Sequence, residues 1–255
     1  MPSFARAESA AQAAIKDVQG NVFVRHSFDT LLVPRAKEIF SWTSLSDETS
    51  KLISTRVDPS VLYRGLLVQT IAIFEAYIKQ ITSALIEKRC SSANSYEDIP
   101  LVLRQANVYN TGTALRSVYE GQFNGTIINC DDNIKLISTC IGGSTKVKMS
   151  AETFLLDFGN CKIDSLNKHF KRLGVKGTFS DTFCNDGQLQ KWSGTTSARK
   201  TSGAVEKMLD EFIDKRNKIV HRADSAMTVV PSDLDDITKL VSLLVTAITA
   251  AARAS

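Results

Sequence analysis

Lys215-Arg216-Asn217-Lys218-Ile219-Val220-His221-Arg222 closes a run of helical periodicity that begins near Ala204 and stops ahead of Pro231. On a helix at 100° per residue, Leu209, Phe212, Ile213, Ile219 and Val220 gather within about 120°, the width of a core-facing stripe. Arg216 falls in the middle of that stripe, and Asp210, Asp214, Asn217, His221 and Asp224 share the neighbouring sector. A guanidinium on an apolar face needs a partner, because an unpaired buried charge is costly. A carboxylate inside the fold or a phosphate at an interface would serve. Arg216 and His221 point about 140° apart on a regular helix, whereas Asn217 and His221, at i and i+4, face the same way. Either the helix breaks between them, or another helix or a second subunit completes a site.

Outward from this stretch, the pattern predicts an all-α protein. Asp58-Pro59 supplies an N-cap residue followed by proline at the first helical position, opening a helix to about Lys88. From Gly65 to Ile78 its only charged residue is Glu75, and a helix apolar nearly all round is a central one. Glu75 is therefore the best candidate for a carboxylate facing Arg216; the alternative is that it points out at the helix edge. After the connector 223–230, Ser232-x-x-Asp235 resembles a capping box and starts a last apolar helix, Asp233 to about Ala252.

Elsewhere the signals are shorter. Residues 4–18 are alanine-rich with helical spacing, and 26–41 offer a second helix limited by Pro34. These first fifty residues read as an extension ahead of a helical domain at 51–255, packing on the core or on a neighbour. A polar turn is expected over 91–98, a helix over 98–120 interrupted near Asn110–Gly112, and a helix over 131–141 ended by Gly142-Gly143. Residues 144–149 alternate like a small strand but read equally as a loop. The Gly/Ser/Thr-rich stretch 177–203 is expected to be a long loop, a candidate substrate-facing flap.

Composition bounds the chemistry. The 255 residues carry 43% hydrophobic and 23% charged side chains with a net charge of +4, ordinary for a globular protein and compatible with an acidic partner. Five cysteines without C-x-x-C spacing and three scattered histidines offer no zinc constellation, and no cofactor signature is present. No signal peptide is evident, and the apolar stretches 65–78 and 240–252 fall short of the roughly 20 residues a span requires. A cytoplasmic protein without a membrane partner is expected. Between Cys161 and Lys176, Lys162, Lys168, Lys171, Arg172 and Lys176 surround His169 and Phe170, with Asp164 the lone acid. Such a segment suits a phosphate backbone and a stacked base; the alternative is a solvated helix face whose Leu166, Phe170 and Leu173 pack inward.

Arg216-Asn217-x3-His221 near the end of a helical chain resembles the R-x4-6-H signature of the HEPN superfamily, in which a polar residue often follows the arginine. The run Tyr63–Tyr77 is similar to the long first core helix of these domains. Phe154–Asn160 through Phe170–Val175 reads like the middle of the RiboL-PSP group and of one other HEPN group. The resemblance spans about residues 58–250. It implies a HEPN-like helical bundle acting as a homodimer, a metal-independent endoribonuclease of a toxin–antitoxin or antiphage system, with tRNA among its possible substrates. In that scheme His221 is the acid/base, Arg216 binds phosphate, Asn217 positions, and Lys215, Lys218, Arg222, Lys168, Lys171 and Arg172 hold RNA. An antitoxin or sensor would restrain it. The alternative is a non-catalytic helical module for dimerisation or partner binding. A metal-dependent nuclease is disfavoured, because few acids cluster, Asp131-Asp132 and Asp210 with Asp214 among them.

Overall fold

Pro59 starts the helix around which the others pack. The computed structural model describes residues 3–27, 59–120, 130–141, 147–155, 158–175, 183–222 and 227–255. These residues build an all-α bundle, and no strand forms among them. The helices are α1 (Phe4–Ser27), α2 (Pro59–Ser91), α3 (Leu101–Tyr119), α4 (Cys130–Ile141), α5 (Ala151–Leu155), α6 (Ile163–Arg172), α7 (Gly187–Ser193), α8 (Ala198–Arg222) and α9 (Pro231–Ala254).

At about 1.5 Å per residue, the 33 residues of α2 span about 50 Å. Leu67, Ile71, Phe74, Ile78 and Ile81 are fully buried, and α1, α5, α8 and α9 all pack on this helix. One strip stays open, through Gly65, Gln69, Ala72, Ala76 and Lys79. Thr70 and Thr82 are buried too, and their hydroxyls donate to the Leu66 and Ile78 carbonyls four residues back, which satisfies them without a neighbouring helix.

α9 lies along α2 and α1, burying Leu234, Ile237, Leu240, Val241, Leu244, Val245 and Ile248. The Tyr77 hydroxyl on α2 donates to the Val245 carbonyl at 3.0 Å and sits 2.8 Å from the Thr249 hydroxyl, pinning the two helices in register. By length and composition α9 could cross a membrane, the one such helix among the described residues; 56% of its most apolar stretch is buried in this bundle. Its start differs from the predicted capping box: Pro231 is the first helical residue, and the Asp233 carboxylate accepts the Val230 N–H at 3.2 Å.

α1 packs on the core, with Ala7, Ala11, Ile15 and Val18 buried between α2 and α9. Gln12 fixes its register: its amide donates to the Ser242 carbonyl at 2.9 Å and accepts the Ser242 hydroxyl at 2.8 Å. The predicted second helix, 26–41, lies almost wholly outside the described residues, as do Asp58 and Gly142-Gly143.

Two predictions are corrected. α3 runs unbroken through Asn110–Gly112, because a helix interior tolerates one glycine at a cost of about 1 kcal/mol. The expected loop 177–203 is largely helical: Asp186 caps α7 through the Gln188 and Leu189 amides, Gly194 ends it at φ 67°, and α8 begins at Ala198. Phe183, Cys184 and Leu189 are buried, so 183–203 is no flap. The hydroxyls that read as loop residues bond one another instead, Thr195 to Thr201 at 2.9 Å and Ser193 to Thr201 at 3.1 Å. Residues 176–182 lie outside the described ones.

Candidate functional site

α8 carries the motif and is held by α2, α6, α7 and α9. Val205, Leu209, Phe212 and Ile213 are buried along it. Beyond Arg216 the burial gives out: Ile219 is half-buried, while Lys218, Val220 and His221 are exposed. The sequence placed Val220 on the core-facing stripe, and here the structure differs, leaving it 49% exposed. The helical period is intact, and among the described residues Val220 is only about half covered.

The Arg216 guanidinium meets Glu75 of α2, with Nη2 donating to Oε2 at 3.1 Å. Nη1 donates to the Asn217 carboxamide oxygen at 3.0 Å, and the buried Nε has no partner among the described residues. Both charged side chains are about four-fifths buried, so each needs the other. Asn217 thus holds its neighbour's guanidinium, a short-range partnership that helical-wheel geometry does not suggest. Fully buried Cys161 lies close enough to feel this pair. Burial pushes its thiol well above the usual range, Glu75 adds to the shift, and Arg216 and Lys79 oppose it, so it stays protonated. Nothing in the sequence pointed to Cys161.

Lys215 is engaged on three sides. Its ammonium sits 3.2 Å from Glu211, 3.4 Å from Asp233 and 5.0 Å from the centre of the Phe212 ring, and an RNA phosphate would compete with all of them. Asp210 and Asp214 hold the start of α6: the Ile163 N–H donates to Asp210 at 3.4 Å, and Lys162 pairs with Asp214 at 2.7 Å. That contact raises the Lys162 ammonium's pKa. Among the described residues no group of three or more His, Cys, Asp or Glu side chains comes together as a metal cage.

α6 starts against the motif helix and leads away from it. Lys168 and Lys171 are exposed, but nine residues of helix from Lys162 to Lys171 cover about 14 Å, carrying them toward α3. Of the two readings of this segment the inward-packing one holds: Leu166, Phe170 and Leu173 are buried, and so is His169, which leaves neither ring free to stack on a base. Phe170 packs against Phe183 with ring centres 5.2 Å apart, and His169 against Phe158 at 4.8 Å. The Thr82 hydroxyl uses its proton on Ile78, so the His169 Nε2–H donates to it at 2.7 Å.

Burial, with a smaller push from Arg172, lowers the His169 pKa from 6.5 to about 4. The unfolded chain therefore binds a proton between these values that the folded chain refuses, so stability is complete above pH 6.5 and falls as pH drops toward 4. The loss approaches about 3 kcal/mol. Urea unfolding at pH 7 and 4.5 is expected to show it, and His169→Gln is expected to flatten that part of the profile.

The motif thus gathers at one end of α8: an enclosed Arg216–Glu75–Asn217 cluster, then exposed Lys218, Val220 and His221 one turn on. The Arg222 side chain and Asp224 lie outside the described residues. Such a surface can offer an imidazole to a substrate, with the fixed Arg216 guanidinium on another side of the same helix end. The model of one protein family, RiboL-PSP-HEPN, matches residues 32–252, which contain the whole motif. No curated protein and no solved structure matches the chain.

Proposed function

The chain belongs to the RiboL-PSP-HEPN family, and from that premise we propose that it is a metal-independent endoribonuclease working at a site shared by two copies. HEPN modules are often ribonucleases, and what supports the activity here is the end of α8. There His221 is exposed beside Val220, an apolar side chain left about half exposed. Arg216 and His221 turn to different sides of the helix, so a second copy across a two-fold axis supplies the opposing imidazole and covers Val220.

In this scheme one His221 takes the 2′-hydroxyl proton of the RNA, and the 2′-oxygen attacks the adjacent phosphorus. The other protonates the departing 5′-oxygen, leaving a 2′,3′-cyclic phosphate and a 5′-hydroxyl. Arg216, oriented by Glu75 and Asn217, stabilises the charge on the phosphorane. Lys218 and Arg222 hold the flanking backbone, and Lys168, Lys171 and Arg172 meet RNA farther along. No cofactor takes part. The setting is the cytoplasm, in a toxin–antitoxin or antiphage system where an antitoxin or sensor restrains cleavage and tRNA is a candidate substrate.

Incubating total RNA with purified protein and EDTA, then mapping the ends, tests this. Fragments ending in 2′,3′-cyclic phosphate are expected; 3′-hydroxyl ends, or cutting that EDTA abolishes, would overturn it. One observation favours a second reading, a non-catalytic HEPN module: the Arg216 charge is already met by Glu75 within the chain, leaving less of it for a phosphate.

A further inference from the structure

The Arg216 guanidinium keeps hydrogen-bond donors but not its charge. Of its five N–H donors, one meets Glu75, one meets Asn217, and the buried Nε–H has no partner among the described residues. Among those residues, two donors on the terminal nitrogens remain for an anion. The charge is another matter: the Glu75 carboxylate 3.1 Å away neutralises it, so a phosphate brought to Arg216 meets an ion pair and not a cation. Two neighbouring cations are committed in the same way. Lys215 is held by Glu211 and Asp233, and Lys162 by Asp214.

Lys79 differs from both. It follows Glu75 by one turn of α2, the i, i+4 spacing at which a glutamate and a lysine pair on an isolated helix. Here Arg216 takes the carboxylate instead, and Lys79 forms no ion pair among the described residues. Its side chain is exposed. The two positions differ by about 40° of rotation and about 6 Å of rise, so the ammonium stands beside the Arg216–Glu75 contact. The buried Cys161 thiol feels Arg216 and Lys79 alike, which sets the two cations around one point. The surface next to Lys79 is low: Ala72 and Ala76, on the open strip of α2, are exposed and end at Cβ. Arg216 thus offers directed donors without net charge, and Lys79 offers net charge one turn away. A backbone phosphate, which takes directed hydrogen bonds and a counter-charge, is matched by the two together. We propose that Lys79 is a phosphate ligand of this site, its ammonium holding the RNA backbone phosphate that Arg216 hydrogen-bonds. This role rests on the RNA-directed reading above, and it leads the RNA from the end of α8 across α2.

Fluorescence anisotropy of a labelled 2′-O-methyl oligoribonucleotide of mixed sequence, read across a salt series with the full chain, tests this. The probe is bound but not cut, because its attacking hydroxyl is blocked. Lys79→Ala is expected to weaken binding at low salt and to lower the slope of log K against log salt by about 0.7, the share of one phosphate on a single strand. Lys79→Arg is expected to keep the wild-type slope, and so is Lys16→Ala, which removes an exposed charge from α1. Thermal unfolding of all three should match wild type, since these side chains are exposed. An unchanged slope in Lys79→Ala, an equal loss in Lys16→Ala, or wild-type protein that does not bind the probe would overturn the proposal. Cleavage of total RNA by wild type is scored separately. Cutting with an unchanged slope in Lys79→Ala sinks this role alone, and Lys79-dependent binding without cutting sinks the catalytic reading alone.

Discussion

His221→Ala is expected to lower RNA cleavage by about 10²- to 10⁴-fold, the usual contribution of one general acid–base group. Folding should be unaffected, since an exposed side chain on the last turn of α8 contributes within about 0.5 kcal/mol. That separation makes the variant informative: thermal unfolding and dimer mass report the scaffold, and cleavage alone reports the imidazole. Mixing the variant with wild type sharpens it further. If two copies share the site, mixed dimers lose the acid or the base, and activity falls faster than the wild-type fraction. Equal cutting by variant and wild type would remove His221 from the chemistry. A decline proportional to the wild-type fraction would show that each copy works alone.

Arg216→Ala is expected to lower both activity and stability, because in the proposed scheme its guanidinium serves the phosphate, and paired with Glu75 it serves the fold. Loss of a preorganised positive group costs about 10²- to 10³-fold in rate. Truncating either Arg216 or Glu75 strands a charge that is about four-fifths buried, which costs about 1–3 kcal/mol, below the figure for a fully buried pair because water still reaches this one. The double variant is expected to lose less than the sum of the singles, with a coupling of about 1 kcal/mol or more in urea unfolding. Glu75→Gln keeps an acceptor for Nη2 and should recover most of the stability. Arg216→Lys should not, since an ammonium cannot reproduce the planar fork that meets Glu75 and Asn217 at once. Additive losses would mean that the contact is incidental.

Local chemistry was legible wherever one residue stood out from a uniform background. Glu75 is the one charge in an apolar run and Arg216 the one charge on an apolar stripe, so their pairing at 3.1 Å was open to inference before any coordinates. The stretch 183–203 was misread for the opposite reason. Gly, Ser and Thr serve both as loop residues and as the punctuation of short helices, and only the buried Phe183, Cys184 and Leu189 show which applies.

The sequence by itself determined the all-α class, the central position of α2, the Arg216–Glu75 candidate pair and the family signature. Each follows from periodicity or from the cost of an isolated buried charge. Only the tertiary structure decided which faces have neighbours. It buried His169 and Phe170, left Val220 half exposed at the end of α8, and turned Asn107 and Asn110 of α3 inward with Val102, Val108 and Tyr109 outward. Periodicity records which residues share a side of a helix. Whether that side meets another helix depends on where the neighbouring elements end, and that is settled only when the whole chain packs.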